Sequence, residues 1–471
     1  LVLGGSFKVQ RRAIWFRGCQ CGESFEADIR AALAHGGLEI EMDSPGPYGI
    51  VCFERADAEL FGMLHEARPD PRCRVLAVTA SSLALETGII WRLLHAGASD
   101  VLLWNSTLAG AARLAAKFQR WFEVDELAEQ AISQESLVGN SAAWLAVIRK
   151  VIEAARFSTI PVLLTGESGT GKELLAKLIS VVCASAGGTN RLRKELITVD
   201  CASLVPELSG SEFFGHERGA FTGAHMLREG AFAMADGATL LLDEIGEVPL
   251  GLQAQLLRAI QEKTYKRVGG NVWQKTNFRL VCATNRDLED SVRRGQFRLD
   301  LYYRICGCVV RTPALAERKD DILPLARYFL SDYFSGNALE FDSAVSEFLV
   351  QHTYNGNVRQ LRQLVERIAH RHAGPGPITA GDIPEDDRPS AEDIHTAWPD
   401  AEFERSISNA LATGARLREI TRTAAETAIR IAVRSEGKNL QRAAGRLGIT
   451  DRALQIRRAT SRLAWKPPQD R

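Results

Sequence analysis

Residues able to do chemistry cluster first around a glycine-rich segment. An apolar run, Pro161-Val-Leu-Leu-Thr165, leads into Gly166-Glu167-Ser168-Gly169-Thr170-Gly171-Lys172-Glu173, and Leu174–Ser180 then carries a helical pattern. Strand, glycine-rich loop and helix in that order make a phosphate cradle. The glycines let backbone N–H groups converge on oxyanions, the helix N-terminus adds the positive end of its dipole, and Lys172 can reach the terminal phosphates. Glu173 departs from the general pattern, which has a Ser or Thr hydroxyl for Mg²⁺ at that place. In isolation such a segment is also compatible with an ordinary glycine-rich turn.

A second cluster closes another apolar run, Ala238-Thr-Leu-Leu-Leu-Asp243-Glu244. Two carboxylates ending a buried strand are costly without a cation or a partner. Beside a nucleotide, Asp243 would hold Mg²⁺, directly or through water, and Glu244 would polarise the water that attacks the γ-phosphorus. Taken alone, a strand-end Asp-Glu can equally cap a helix. Between the two clusters lies Gly215-His-Glu-Arg-Gly219-Ala220-Phe221-Thr222-Gly223-Ala224, in which one aromatic sits among small residues. Its alternatives are a mobile loop that exposes Phe221 and a turn whose Phe packs inward.

The elements that must hold these residues are legible from patterning. The chain has 471 residues, 45% of them hydrophobic and 25% charged; at roughly 150 residues per domain it holds about three. No apolar run approaches the ~18 residues of a membrane span, and no signal segment opens the chain, so a cytoplasmic protein with no membrane partner is expected. Nine cysteines, without a CxxC pair, signal neither a disulfide framework nor a zinc ribbon. Short β-like runs at Ala13–Phe16, Leu38–Glu41, Tyr48–Phe53, Arg74–Thr79 and Ser99–Trp104 alternate with helical stretches and predict a parallel α/β domain. A helical pattern over Thr107–Ile132 predicts a connecting helix. A second α/β region runs from Leu137 to Cys308, a helical region runs to Ile383, and the Pro- and Asp-rich Pro384–Pro389 reads as a linker. Fifty-eight basic residues balance fifty-eight acidic ones, yet from Lys438 onward nine basic residues face two acidic ones. That basic tail reads as a helix-turn-helix: Asn439–Leu447, a turn at Gly448-Ile-Thr450, then Asp451–Ala459, with Thr450 as N-cap and Arg452, Gln455, Arg457 and Arg458 on or near the groove-facing side.

Together these motifs resemble the AAA+ domain of bacterial enhancer-binding proteins, the ATP-dependent activators of sigma-54 RNA polymerase. Gly166–Glu173 matches that family's form of the phosphate loop, Glu173 included, and Gly219–Ala224 spells its GAFTGA signature. The resemblance implies ATP and Mg²⁺ as cofactors and places Gly219, Ala220, Phe221, Thr222, Gly223 and Ala224 at the sigma-54 contact. Val281-Cys-Ala-Thr-Asn285 looks like the strand whose Asn285 senses the γ-phosphate. Arg298 and Arg304, within Phe297–Arg304, resemble fingers that reach a neighbouring subunit's nucleotide, and Arg359, within Asn355–Leu361, resembles the second sensor. Ala443-Ala444-x-x-Leu447-Gly448-Ile449 is similar to the Fis-type DNA-binding domain that ends the same family.

The sequence also departs from that family. Tyr354-Asn355 stands for the usual Trp-Pro, Gln360 for Glu, and Asp200 for the Asn that would restrain Glu244. An ionised Asp cannot donate that hydrogen bond, so altered coupling between loop engagement and hydrolysis is expected. The first domain is similar to a response-regulator receiver without its chemistry: Phe16-Arg17 occupies the place of the acidic pair, Trp104 that of the Lys, and Cys52-Phe53-Glu54 offers no phosphorylatable Asp. A degenerate, unphosphorylated receiver is expected.

The expected architecture is therefore multidomain α/β. It comprises a receiver-like flavodoxin-type domain (1–120), a connecting helix (121–136), an AAA+ P-loop α/β ATPase core (137–310), a helical lid (311–383), a linker (384–402) and an all-α Fis-type helix-turn-helix (403–471). The expected activity is ATP hydrolysis in a ring, self-associating from dimer to hexamer, that docks on upstream enhancer DNA and remodels the sigma-54 polymerase closed complex into an open one. The alternative is a DNA-binding regulator with a weak or vestigial ATPase that acts by promoter occupancy.

Overall fold

In the N-terminal region, runs rich in Val, Ile and Phe form five strands. They are β1 (Ile14–Cys19), β2 (Ile40–Glu41), β3 (Tyr48–Phe53), β4 (Arg74–Thr79) and β5 (Asp100–Leu103). All pair in parallel in the order β2-β1-β3-β4-β5. Parallel neighbours need crossovers, supplied by helices α1 (Glu23–His35), α2 (Ala58–Glu66) and α3 (Thr87–Ala96), and the result is the flavodoxin-type layout. This computed structural model describes residues 13–41, 46–66, 73–81, 87–133, 137–185, 195–205, 208–334, 339–374, 376–388, 401–437 and 439–455.

Strand β1 extends three residues beyond the expected end at Phe16, which corrects one reading of the sequence. Phe16 is buried within the strand and Arg17 follows it there, so neither lies at the carboxyl edge. Cys19, Gln20 and Cys21 occupy that edge instead. The Cys21 thiol lies 3.3 Å from a Glu26 carboxylate oxygen, and burial together with Glu26 pushes it up to about 12. Glu54, just past β3, accepts the Gly22 N–H at 3.1 Å, and Trp104 is buried.

Helix α4 (Leu108–Ser133) follows the helical pattern expected over Thr107–Ile132: it spans 26 residues and runs unbroken through position 120. Its first half lends Leu114, Ala115, Phe118, Trp121 and Phe122 to the core of the N-terminal sheet. Its second half lends Val124, Leu127, Ala128 and Ala131 to a different core, shared with α5 (Ala142–Phe157) and the second sheet. Where the two cores meet, Asp125 is buried. It accepts hydrogen bonds from the Tyr48 hydroxyl (2.6 Å), Arg74 (3.1 Å) and Arg149 of α5 (2.6 Å). Arg120 with Glu153 and Arg156 with Glu123 flank it along the same pair of helices.

The second sheet is also parallel, in the order β12-β6-β11-β8-β7. In chain order its strands are β6 (Val162–Thr165), β7 (Leu196–Asp200), β8 (Thr239–Asp243), β11 (Arg279–Thr284) and β12 (Cys308–Arg311), with a short hairpin of β9 (Thr264–Tyr265) and β10 (Gln274–Lys275) beside it. Helices α6 (Lys172–Ser185), α7 (Ser209–Phe214), α8 (Ala231–Met234), α9 (Leu250–Glu262), α10 (Leu288–Arg293) and α11 (Leu299–Ile305) complete this layer. Three further helices, α12 (Ile322–Ser331), α13 (Ser343–Gln351) and α14 (Asn357–Arg371), form a separate apolar core around Leu325, Leu349, Leu361 and Val365. The unusual flank settles there: Tyr354 is buried with its hydroxyl donating to the Leu349 carbonyl, and Gln360 accepts the Gly356 N–H.

Residues 385–471 form a second compact unit. It contains α15 (Ala401–Ala412), α16 (Leu417–Ser435), α17 (Leu440–Arg446) and a helical segment 451–455. Ala432, Ala443, Ala444 and Leu454 make its small core. Asn439 caps α17, Gly448 turns the chain at φ +63°, and the Thr450 hydroxyl accepts the Ala453 N–H as an N-cap. Arg452 and Gln455 are exposed; Arg457 and Arg458 lie outside the described residues. Among the described residues no helix is long and apolar enough to cross a membrane, and none of the cysteines forms a disulfide.

Candidate functional site

In an open parallel sheet, ligands sit outside the carboxyl ends of the strands, and the second sheet brings its chemistry-bearing residues to that edge. Gly166 follows β6, Asp243 ends β8, Asn285 follows β11 and Thr312 follows β12. The loop after β6 curls as its glycines permit. Gly166, Gly169 and Gly171 have φ of +144°, +76° and +103°, a region that side chains with a Cβ adopt at a cost. Space forbids a side chain as well: a Cβ on Gly166 would lie 2.2 Å from the Thr312 hydroxyl, and one on Gly169 would lie 2.3 Å from the Gly356 carbonyl.

Lys172 opens helix α6 and folds back, its ammonium donating to the Gly166 and Glu167 carbonyls at 2.8 and 3.0 Å. Burial lowers its pKa, while Glu244 and Asp243 oppose that shift and Arg359 adds to it. A buried ammonium at a helix N-terminus, held by two loop carbonyls, suits phosphate oxygens, so the residues present fit a nucleotide. Glu173 is turned outward, paired with Lys177 at 2.9 Å.

The acidic pair is placed by backbone geometry. Asp243 accepts the N–H of Glu244 at 3.0 Å, and Glu244 itself has φ +49°, a strained conformation for a residue with a side chain. The Glu244 carboxylate accepts the backbone N–H of Asn285 at 3.1 Å, which joins two of the residues singled out from the sequence. Asp200 pairs with Asp243 in strand register, but its carboxylate accepts the Ala202 N–H and its side chain is exposed. The hydrogen bond received by the Glu244 carboxylate thus comes from the Asn285 backbone and not from residue 200.

Lid residues close the other side. Val358 donates to the Gly169 carbonyl at 3.0 Å, and Arg359 donates to the Ser168 hydroxyl at 3.2 Å. Arg298 and Arg304 are exposed around α11, with Arg298 held in a two-point contact by Asp300.

Phe221 sits on a tight loop closed by Gly219 N–H to Ala224 carbonyl and Ala224 N–H to Phe221 carbonyl bonds. Phe221 is 37% exposed and its ring meets His216 edge-on at 4.9 Å, so neither sequence alternative holds outright: the aromatic is at the surface and yet seated. The β9–β10 loop supports it through Arg267 with Glu217 and through Val268 with His216.

Several residues of this site escaped the sequence reading. Arg318 is buried, donates to the Thr170 carbonyl at 2.9 Å and lies over the Trp144 ring at 4.2 Å. Asp321, also buried, accepts the N–H groups of Asn140 and Ser141 and the Ser141 hydroxyl. In sequence these two belong to Glu-Arg-Lys-Asp-Asp, which reads as a solvated charge run. Asn357 joins the loop and the lid, and its only sequence signal was its place beside Arg359.

Residues 137–311 match the Sigma-54 interaction domain, and residues 316–398 match the AAA+ ATPase lid domain. The transcriptional regulatory protein ZraR of Klebsiella oxytoca is 35% identical over 443 residues, covering 90% of this chain and 92% of that protein. The Nif-specific regulatory protein of Rhodobacter capsulatus is 46% identical over 240 residues, which is 50% of this chain and 40% of that relative's length. The crystal structure of NtrX from Brucella abortus in complex with ATP superposes with a TM-score of 0.49 at 24% identity, covering 95% of this chain and 99% of that one.

Proposed function

The chain belongs to the family of sigma-54-interacting AAA+ regulators, and from that premise we propose that it is a transcriptional activator that hydrolyses ATP to remodel the sigma-54 polymerase closed complex. The observation that carries this reading is the convergence of Lys172, Asp243, Glu244 and Asn285 at one sheet edge with Arg359 facing them from the lid, in the same unit as the Phe221 loop. In this mechanism the loop N–H groups and Lys172 bind the phosphates, and Arg359 engages them from the lid. Asp243 would hold Mg²⁺, which when bound neutralises charge on the phosphate oxygens. Glu244 orients the attacking water as its carboxylate rests on the Asn285 N–H.

Arg298 and Arg304 act in trans, so turnover depends on assembly from dimer to hexamer; a guanidinium fork suits phosphate oxygens. The Phe221 loop engages sigma-54. The C-terminal unit binds upstream enhancer DNA through Thr450, Arg452 and Gln455. The N-terminal domain is a receiver without phosphoryl chemistry, in keeping with Cys19-Gln20-Cys21 and Glu54 at its strand ends.

The test is ATP hydrolysis against protein concentration for the intact chain and for Glu244→Gln. Specific activity that rises with concentration, vanishes in Glu244→Gln and falls at least tenfold in Arg298→Ala or Arg304→Ala supports the reading. Negligible, concentration-independent turnover in both chains would favour an occupancy regulator instead.

A further inference from the structure

Asn357 is 1% exposed, sits at the first residue of α14 and has φ +51°. Left-handed backbone is strained for most residues with a side chain, and asparagine tolerates it best. The side chain uses its hydrogen-bonding capacity on three separate segments. Its amide donates to the Glu167 carboxylate at 2.9 Å and to the Ser168 carbonyl at 3.1 Å, both in the phosphate loop. Its carbonyl accepts the Leu315 N–H at 2.7 Å, where the chain leaves β12 for the lid. Two residues further on, Arg359 reaches Ser168.

We propose that Asn357 is a positioning residue for nucleotide binding, a clasp that ties the phosphate loop to the lid and sets Arg359 over the loop. The inference rests on the nucleotide-hydrolysing reading above. The chemistry of the clasp is specific. A carboxylate within an anion-binding loop repels phosphate more strongly the nearer it lies, and the Asn357 amide holds Glu167 toward the lid. Aspartate in its place would set two carboxylates against each other, and a residue without an amide would leave the buried Leu315 N–H and Ser168 carbonyl without this partner.

The test uses the full chain and four variants: Asn357→Gly, which keeps the backbone conformation and removes the amide; Asn357→Asp; Glu167→Gln; and Asn357→Asp with Glu167→Gln. ATP and ADP affinities are measured by competition against a fluorescent ADP analogue, with circular dichroism confirming the fold of each. The expected result for Asn357→Gly and Asn357→Asp is at least a tenfold loss of ATP affinity and a smaller loss for ADP, because Arg359 is displaced as well. The double variant reverses the polarity of the bond to residue 167, a Gln amide donating to an Asp carboxylate, and is expected to recover the part of the loss that comes from the Glu167 contact, while the part that comes from the Ser168 carbonyl remains. Affinities within twofold of the parent chain, equal losses for both nucleotides, or no recovery in the double variant overturn the proposal. A parent chain that binds neither nucleotide refutes the ATPase reading itself and the clasp with it, whereas a parent that binds and hydrolyses ATP while Asn357→Gly is unaffected refutes the clasp alone.

Discussion

Replacing Asp125 by asparagine will weaken the junction between the N-terminal sheet and the ATPase core by about 3 kcal/mol. The carboxylate is 4% exposed and faces two arginines whose side chains are 12% and 18% exposed. Removing one partner of a buried ion pair costs about 3–5 kcal/mol, because the charges left behind cannot recover their hydration. Asparagine keeps the shape and one acceptor oxygen, which returns about 1 kcal/mol of hydrogen bonding. The assay is urea unfolding of the full chain followed by tryptophan fluorescence, since Trp121 lies 5.7 Å from the Arg74 guanidinium. Arg149→Gln completes a double-mutant cycle, and a coupling energy above about 1.5 kcal/mol is expected for groups in direct contact. A loss under 1 kcal/mol in Asp125→Asn, or strict additivity with Arg149→Gln, would refute the argument: the arginines would then be solvated in solution.

Three further perturbations follow from single observations. Burial, then Arg304 and Arg279, pull Lys263 down to about 8 from its ordinary 10.5. Its cost is therefore fully present below pH 8 and is relieved as pH rises to 10.5, over the window where the unfolded chain holds a proton that the folded chain has released. Lys263→Met is expected to raise stability at pH 7 by about 2 kcal/mol, allowing for solvent screening, and to flatten the rise between pH 8 and 10; urea midpoints at pH 7 and 9.5 check both. Gly169→Ala drives a Cβ to 2.3 Å from the Gly356 carbonyl at a φ of +76°, so ATP binding should fall more than tenfold in a chain that still folds, and near-normal affinity by calorimetry would contradict this. Asp200→Asn supplies the missing donor beside Asp243 and should change the ratio of sigma-54-stimulated to basal ATPase; unchanged rates in both conditions count against any role for this position.

How much was legible depended on how local the signal was. The phosphate loop could be read because its glycines, lysine and flanking elements are contiguous, and strands Tyr48–Phe53 and Arg74–Thr79 because their apolar runs end in turn residues. Strand β1 was read short because exposed Arg17 and half-buried Gly18 interrupt the apolar pattern while the backbone stays paired with β3. Asp125 carried no signal: it is one acid on a helix with several, and its partners lie 24, 51 and 77 residues away. Arg318 and Asp321 were hidden likewise, since a charge run looks solvated until the fold brings Thr170 and Ser141 to it.

Helix α4 has a mechanical consequence. Its 26 residues span about 39 Å, contain no proline and have their only glycine at Gly110. With one half set in each core, the helix works as a lever with fixed ends, unlike a tether that lets a domain wander at some effective concentration. A tilt of about 5° in the N-terminal sheet, carried over roughly 20 Å of helix, displaces the far end by about 2 Å. That displacement arrives at α5, whose first turns hold Ser141 and Trp144 against Asp321 and Arg318. A tilt of the first domain would therefore reach the second as torque on one packed pair of helices.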